Sequence, residues 1–154
     1  MSPRLPKAGE GKRGGQGYFG YLLRQAAGAH RLRLERALAD LDVTPPQFMV
    51  LTMLAAYPGQ SNADLARVAL LTPQTVSVII ANLERIGAVE RRAHAVHGRI
   101  QHLDLSASGR ALLAECRARA HAVERELAEG LSRTEQQTIR SWLSRIATGV
   151  DGDD

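Results

Sequence analysis

The chain has 154 residues, of which 44% are hydrophobic and 23% charged, the composition of an ordinary folded protein. No run of 18 or more apolar residues is present, which argues against a transmembrane helix and against a membrane partner. The first seventeen residues lack the apolar segment of a signal peptide, so we expect a cytoplasmic protein. A single cysteine, Cys116, excludes an internal disulfide framework.

The net charge of +4 is unevenly distributed along the chain. It is +3 over residues 1–17, +1 over 18–58, +1 over 59–106 and −1 over 107–154. Nucleic acid is a natural partner for a basic chain, although codon usage alone also enriches arginine. Residues 1–17 are rich in glycine and predict a flexible arm, either an inert tail or a segment that follows DNA through Lys7, Lys12 and Arg13. Residues 149–154 form an acidic tail.

The first half of the chain predicts four helices. Apolar residues recur at helical spacing over Tyr18–Leu41, which indicates a long amphipathic helix. Three further helix starts have a hydroxyl that can accept a bond from a free amide, at Thr44, Ser61 and Thr72. Proline follows the first and third of them, where it needs no hydrogen-bond partner. We expect these helices to end near Tyr57, Val68 and Ile86.

The second half predicts a hairpin and two helices. From Ala88 the apolar period changes to two, which indicates a two-stranded hairpin with a loop near Ala95–Gly98. Ser106 then caps a long helix that Gly130 ends, and Ser132 starts the last one. Apolar residues on that last helix are Ile139, Trp142, Leu143 and Ile146.

The segment 61–86 has the order typical of a helix-turn-helix: a short helix, a tight turn and a longer helix. Because a hairpin follows directly, the sequence predicts a mainly α fold of the winged helix class (α+β), a winged helix-turn-helix. Such a helix can enter the major groove of DNA while the hairpin tip contacts phosphates or the minor groove.

The helix from Thr72 has the chemistry of a recognition helix. Its amino end offers free amides and the positive end of the helix dipole to phosphates. Gln74 can pair with an adenine edge, and Thr75 and Val78 can contact a thymine methyl group. The alternative interpretation is that Gln74 and Thr75 only solvate the first turn.

The hairpin concentrates basic and titratable side chains with no acid between residues 91 and 103: Arg91, Arg92, His94, His97, Arg99 and His102. This pattern predicts contact with a polyanion, although a solvated basic surface is the alternative. Three imidazoles on a hairpin do not converge on one point, so we expect no metal site and no cofactor.

Several runs of residues resemble the MarR (multiple antibiotic resistance regulator) family of winged-helix transcription factors. They are Leu65-Ala66, Leu71–Ser77, Leu83–Arg91, Arg99 and Leu103–Ser106, and the resemblance spans about residues 18–148. It implies a homodimer, joined by helices of 18–42 and 107–148, whose winged lobes of 44–106 bind a pseudo-palindromic operator in double-stranded DNA. It also implies a repressor that a small, often aromatic or phenolic, effector releases.

The residues and the resemblance together give ten candidate DNA contacts: Thr72, Gln74, Thr75, Ser77, Val78, Asn82, Arg91, Arg92, His97 and Arg99. The family often has arginine where Val78 and Asn82 stand, and its wing usually has aspartate where His97 stands. Because residues 72–84 contain no cation, we expect affinity to depend on Arg91, Arg92 and Arg99.

Candidate effector residues are those on segments that border the ligand pocket in the family: Tyr21, Arg24, His30 and Tyr57. An arginine and a histidine in an apolar cleft would suit an anionic aromatic ligand, but Arg24 and His30 could equally face solvent. Cys116 stands on an apolar helix face, which predicts a buried, inert thiol; a thiol-redox switch, as in some members of the family, is the alternative.

Two other classes of function are alternatives to a DNA-binding regulator. The sequence has no nucleophile elbow, phosphate loop or paired carboxylate motif, so we expect no enzyme. A protein-interaction adaptor that uses the winged fold without DNA is compatible with the neutral recognition helix.

Overall fold

The computed structural model describes residues 4–93, 96 and 101–148. Six α-helices and one two-stranded sheet occupy the described chain, so the predicted mainly α, winged helix class is confirmed. The elements are α1 (Phe19–Leu38), α2 (Pro45–Ala56), α3 (Asn62–Ala69), α4 (Pro73–Arg85), β1 (Val89–Ala93), β2 (Gln101–Leu105), α5 (Ala107–Ala128) and α6 (Arg133–Ala147).

The predicted helix starts are confirmed by their hydrogen bonds. The hydroxyl oxygens of Thr44, Ser61 and Thr72 accept bonds from the backbone amides three residues later, over 3.3, 3.2 and 3.2 Å. Ser132 caps α6 in the same way, over 3.2 Å. Each bond satisfies an amide that has no partner within its own helix, which fixes where the helix begins.

The first helix is shorter than its apolar pattern suggested. It ends at Leu38, and a 3₁₀ turn over Ala39–Leu41 leads to Asp42 in the left-handed region with φ of 53°. Aspartate tolerates that conformation better than most residues because its short polar side chain can bond locally. The turn reverses the chain so that α2 can pack against α1.

The described part of the amino-terminal arm has local structure that its composition did not predict. Gly11–Arg13 form a 3₁₀ turn, and the Gly9 amide donates to the Arg13 carbonyl over 2.9 Å. The Arg13 guanidinium also donates to the Pro6 carbonyl over 2.9 Å. One of the arm's four cations is therefore bound within the arm itself.

The core consists of two apolar clusters. The larger one fills the winged lobe with Val50, Leu51, Leu54, Leu65, Val76, Ile80, Leu83, Val89, Leu103, Leu105 and Leu113 among others. The smaller one joins α1 to α5 through Leu34, Leu38, Val43 and Cys116. Phe48 and Leu112 pack against both clusters, so the lobe is attached to the α1–α5 pair by continuous apolar contact.

The hairpin is anchored at its base by close packing. Val89 pairs with Leu105 and Arg91 with Leu103 in an antiparallel register. The amide of Gly59 donates to the Leu103 carbonyl over 3.2 Å, so the loop before α3 borders β2. A Cβ at Gly109 would lie 2.0 Å from the Ala88 carbonyl oxygen, so only glycine allows α5 to approach the hairpin this closely.

Apolar surface remains uncovered on the last helix. No residue of α6 is buried, and Ile139, Leu143 and Ile146 are exposed along one side. Within the described residues no single helix is both long and apolar enough to cross a bilayer. Among the helices that the structure describes, α3 and α4 taken together reach that length and hydropathy, across a bend of 112°.

Candidate nucleic-acid interface

Helix α4 buries one face and presents the other to solvent. Val76, Ile79, Ile80 and Leu83 are buried, at the helical spacing of one face. The opposite face exposes five of the candidate DNA contacts, Thr72, Gln74, Thr75, Ser77 and Val78, while Asn82 is half-buried. Val78 is 63% exposed although it is apolar, so it is available to contact a partner.

Three of these polar side chains are held by hydrogen bonds. The Thr72 and Thr75 hydroxyls lie 2.8 Å apart, and the Thr75 amide donates to the Thr72 hydroxyl. The Asn62 side chain, at the first residue of α3, donates to the Ser77 hydroxyl over 3.3 Å. Sequence reasoning missed Asn62, although its place at the start of the helix-turn-helix was a usable signal. These bonds preorder the face that α4 presents.

Acids accompany both described arginines of the hairpin. The Arg91 Nε and Nη2 atoms donate to Glu84 Oε1 and Oε2 over 2.6 and 3.3 Å. Arg92 lies 3.6 Å from a Glu90 oxygen and 3.8 Å from an Asp104 oxygen. The absence of acids between residues 91 and 103 was therefore misleading, because the neutralising carboxylates stand just outside that window.

The hairpin tip falls partly outside the described residues. The candidate contacts His97 and Arg99 lie there, together with His94 and the predicted loop at Ala95–Gly98 except for the exposed Val96. Of the other hairpin side chains, His102 lies beside the backbone of Gly59: a Cβ at that glycine would be 3.3 Å from the imidazole Nδ1.

The four candidate effector residues do not meet within one chain. Tyr21 and Arg24 border a shallow groove on the surface of α1, where the Gln25 amide donates to the Tyr21 hydroxyl over 3.1 Å. His30 faces Glu124 of α5 over 3.8 Å. Tyr57 lies in a different cleft. The helical spacing on α1 could not show which residues of distant segments share a cavity.

A cleft of about 610 Å³ separates the winged lobe from α6, within the size range of small-molecule sites. Its walls are Met53, Tyr57, Arg67, Val68, Leu70, Leu143, Ile146 and Ala147. They are largely apolar, with Arg67 as the cation and Asp64 3.6 Å from its guanidinium. Of the predicted effector set, only Tyr57 lines this cleft.

Cys116 is fully buried between α1 and α5. Burial raises the pKa of its thiol, because the apolar surroundings disfavour the thiolate. The prediction of a buried thiol is confirmed, and the thiolate that oxidants attack is disfavoured there.

The arrangement defines a class of protein. The chain bends by 112° between α3 and α4, the angle typical of a helix-turn-helix, and the hairpin follows α4 directly. These elements make a winged helix-turn-helix protein of the DNA-binding class, which uses an exposed helix face and a neighbouring hairpin to meet a duplex.

Comparison with known proteins identifies the family. The MarR family model matches residues 41–100. The HTH-type transcriptional repressor Rv2887 of Mycobacterium tuberculosis is 35% identical over 130 residues, which cover 84% of this chain and 94% of that protein. The chain belongs to the MarR family of transcriptional regulators.

Solved structures of the same relative agree with this fold. Rv2887 of M. tuberculosis in complex with DNA has a TM-score of 0.69 and 31% identity, covering 85% of this chain and 98% of the other. Rv2887 in complex with salicylic acid has a TM-score of 0.70 and 34% identity, covering 86% and 98%. Proteins of this family are generally DNA-binding regulators rather than enzymes.

Proposed function

We propose that this protein is a homodimeric transcriptional repressor that binds a pseudo-palindromic operator and is released by a small anionic aromatic molecule. The observation that carries the proposal is the exposed face of α4, set at 112° to α3 and flanked by the hairpin. The structure of Rv2887 bound to DNA supports the same use of these elements here.

The proposed base-reading surface is uncharged. Gln74, Thr75, Ser77, Val78 and Asn82 would face base edges in the major groove, and Thr72 would face the backbone at the positive end of the helix. Arg92, with His97 and Arg99 of the tip, would supply contacts to phosphates or the minor groove. In this arrangement α4 provides selectivity and the wing provides most of the attraction to the polyanion.

The proposed dimer interface combines both ends of the domain, residues 18–42 and 107–148. Tyr18 and Phe19 are 82% and 76% exposed, and α6 has an uncovered apolar side. The Phe19 and Trp142 rings meet edge to face with centroids 5.8 Å apart, so these two exposed regions are adjacent. A second copy of the chain would bury this surface, as contiguous exposed apolar patches often mark protein–protein contacts.

The proposed effector site is the cleft between the lobe and α6. Salicylic acid, bound by Rv2887, has the chemistry that this cleft would accept: an aromatic ring for the apolar wall and a carboxylate for Arg67. The cleft lies next to the turn before α4, so an occupant there could alter the angle at which α4 meets DNA.

Measurement of DNA binding against salt tests the proposal and separates it from a protein-interaction adaptor. The operator is first selected by footprinting genomic fragments with the purified protein. Because each neutralised phosphate releases counterions, affinity for that duplex should fall steeply with salt and exceed affinity for a scrambled duplex. The uncharged exposed face of α4 and the exposed Val78 are what favour the adaptor, and the absence of salt-dependent DNA binding would support that alternative.

Calorimetry with salicylate tests the effector site. The Arg67→Gln variant should bind salicylate about tenfold more weakly than the unchanged protein, because a charge-assisted hydrogen bond is lost. Arg110→Gln, an exposed cation on α5 outside the cleft, is the matched control. Equal salicylate binding by the unchanged protein and both variants would mean that Arg67 does not bind the carboxylate.

A further inference from the structure

One cross-strand pair of the hairpin, Arg91 and Leu103, is bonded to elements on both sides of the sheet. Arg91 and Leu103 are cross-strand partners. On the β2 side, the Gly59 amide donates to the Leu103 carbonyl over 3.2 Å, and the Leu103 amide donates to the Gln60 carbonyl over 3.3 Å. On the β1 side, the Arg91 guanidinium donates to Glu84 of α4. The loop before α3, both strands and α4 are therefore connected at this level.

Arg91 stands where the hairpin leaves the core. Its strand position lies on the same face as Val89, which is buried, and Arg91 itself is exposed. Glu84 is in the last turn of α4, and the Arg91 bonds to it at 2.6 and 3.3 Å have the parallel two-bond geometry that orients a guanidinium firmly. Beyond this level no described residue of β1 is in ion contact with α4.

Arg92 has a different environment. It lies on the opposite face of β1, paired with His102 across the strands. Its carboxylate neighbours, Glu90 and Asp104, belong to the hairpin and are 3.6 and 3.8 Å away. Because these contacts are looser and stay within the hairpin, Arg92 can turn to a phosphate without releasing the wing from α4.

We propose that Arg91 is a positioning residue, which sets the direction of the wing relative to α4 through Glu84 and does not bind phosphate. This inference rests on the proposed function, since it concerns how α4 and the wing meet DNA together. A phosphate contact by Arg91 would cost both bonds to Glu84. While the Arg91–Glu84 bonds remain, they keep the hairpin at one angle to α4, so that the wing and the exposed face of α4 can reach the same duplex.

The direction in which Glu84→Gln changes operator affinity separates a positioning role of Arg91 from a phosphate-binding one. Glu84→Gln and Glu90→Gln each remove one acid next to an arginine of β1, and only the first breaks the contact with Arg91, because Glu90 accompanies Arg92. We expect Glu84→Gln to weaken operator binding about three- to tenfold relative to the unchanged protein, as coupled charge pairs do, whereas Glu90→Gln, which frees Arg92, should not weaken it. If Arg91 were a phosphate ligand restrained by Glu84, Glu84→Gln would instead bind more tightly and with a steeper dependence on salt.

Exchange of the two charges completes the test. Arg91→Glu should weaken binding, and the double variant Glu84→Arg/Arg91→Glu should return to within about threefold of the unchanged protein with the same salt slope. Arg92→Gln, the phosphate-contact control, should lower the salt slope by about one. A double variant that stays as weak as Arg91→Glu would overturn the inference, whether or not the single variants fold. Failure of the unchanged protein to bind DNA would instead overturn the proposed function as well.

Discussion

One residue, Leu70, has a backbone conformation that costs folding free energy. Leu70, in the turn of the helix-turn-helix, has φ of 53° and is 77% exposed. Its amide donates to the Arg67 carbonyl over 3.3 Å, and the next amide donates to the Ala66 carbonyl over 3.0 Å, which ends α3. A leucine in the left-handed region is disfavoured by about 1–2 kcal/mol, so the backbone at Leu70 is strained.

Replacement of Leu70 by glycine should therefore stabilise the free protein by about 0.5–1 kcal/mol, because glycine adopts positive φ without strain. Urea unfolding measures the change. Val68→Gly, at a neighbouring exposed position inside α3, is the control and should destabilise by about 1 kcal/mol. A loss of stability in Leu70→Gly would mean that the leucine side chain stabilises the fold through its contacts in the cleft by more than its backbone strain destabilises it.

Cys116→Ser should destabilise the protein by about 1–3 kcal/mol, because it puts a hydroxyl into an apolar site. Operator binding per folded molecule should stay unchanged. The native thiol should react with a disulfide reagent only as fast as the protein opens, and peroxide should leave DNA binding intact. Release of DNA by peroxide in the unchanged protein, but not in Cys116→Ser, would establish the redox alternative.

Helices in this chain are defined at their ends as much as by their apolar faces. Because the caps are local in sequence, their residues predict where α2, α3, α4 and α6 begin, and the structure agrees. Contacts between elements could not be predicted in this way. The Arg91–Glu84 pair depends on the tight turn at Gly87, where φ is 76°, and the cleft combines α2 and α3 with the distant α6.

The cap of α3 should make stability depend on acid. Hydrogen bonds from Ser61, aided by Arg67, hold the pKa of the Asp64 carboxyl below its usual range. Because its pKa is lower in the folded than in the unfolded chain, ionised Asp64 stabilises the fold at neutral pH, and this contribution is lost as the pH falls below about 4. The difference in melting temperature between the unchanged protein and Asp64→Asn should therefore shrink from pH 7 to pH 3. A difference that stays constant from pH 7 to pH 3 would contradict this role of Asp64.

The whole molecule has more apolar surface than one chain covers. Its two core clusters leave the apolar side of α6 and the exposed rings of Tyr18 and Phe19 in water. The sequence shows the apolar residues of α6 at helical spacing, but periodicity alone cannot tell which other surface covers them. We attribute that role to a second copy of the chain.

Leu143→Glu should convert the dimer to monomers at micromolar concentration, since a carboxylate would be buried without a partner. Analytical ultracentrifugation measures the change, and operator affinity should fall with it. Ser141→Glu, on the other side of the same helix, adds an equal charge and should remain dimeric. A Leu143→Glu dimer would place the interface elsewhere.

The uncharged reading face of α4 bears on how the regulator behaves in cells whose ionic composition varies. Under the proposed function, the contacts of this face displace no counterions and do not depend on salt, whereas Arg92 and Arg99 of the wing would attract every duplex equally. Rising salt should then reduce occupancy of all DNA together and leave the preference for the operator nearly constant. The ratio of operator to scrambled-duplex affinity, measured at low and high salt, tests this. A constant ratio would mean that the regulator keeps its sequence selectivity under osmotic stress while its overall affinity for DNA falls.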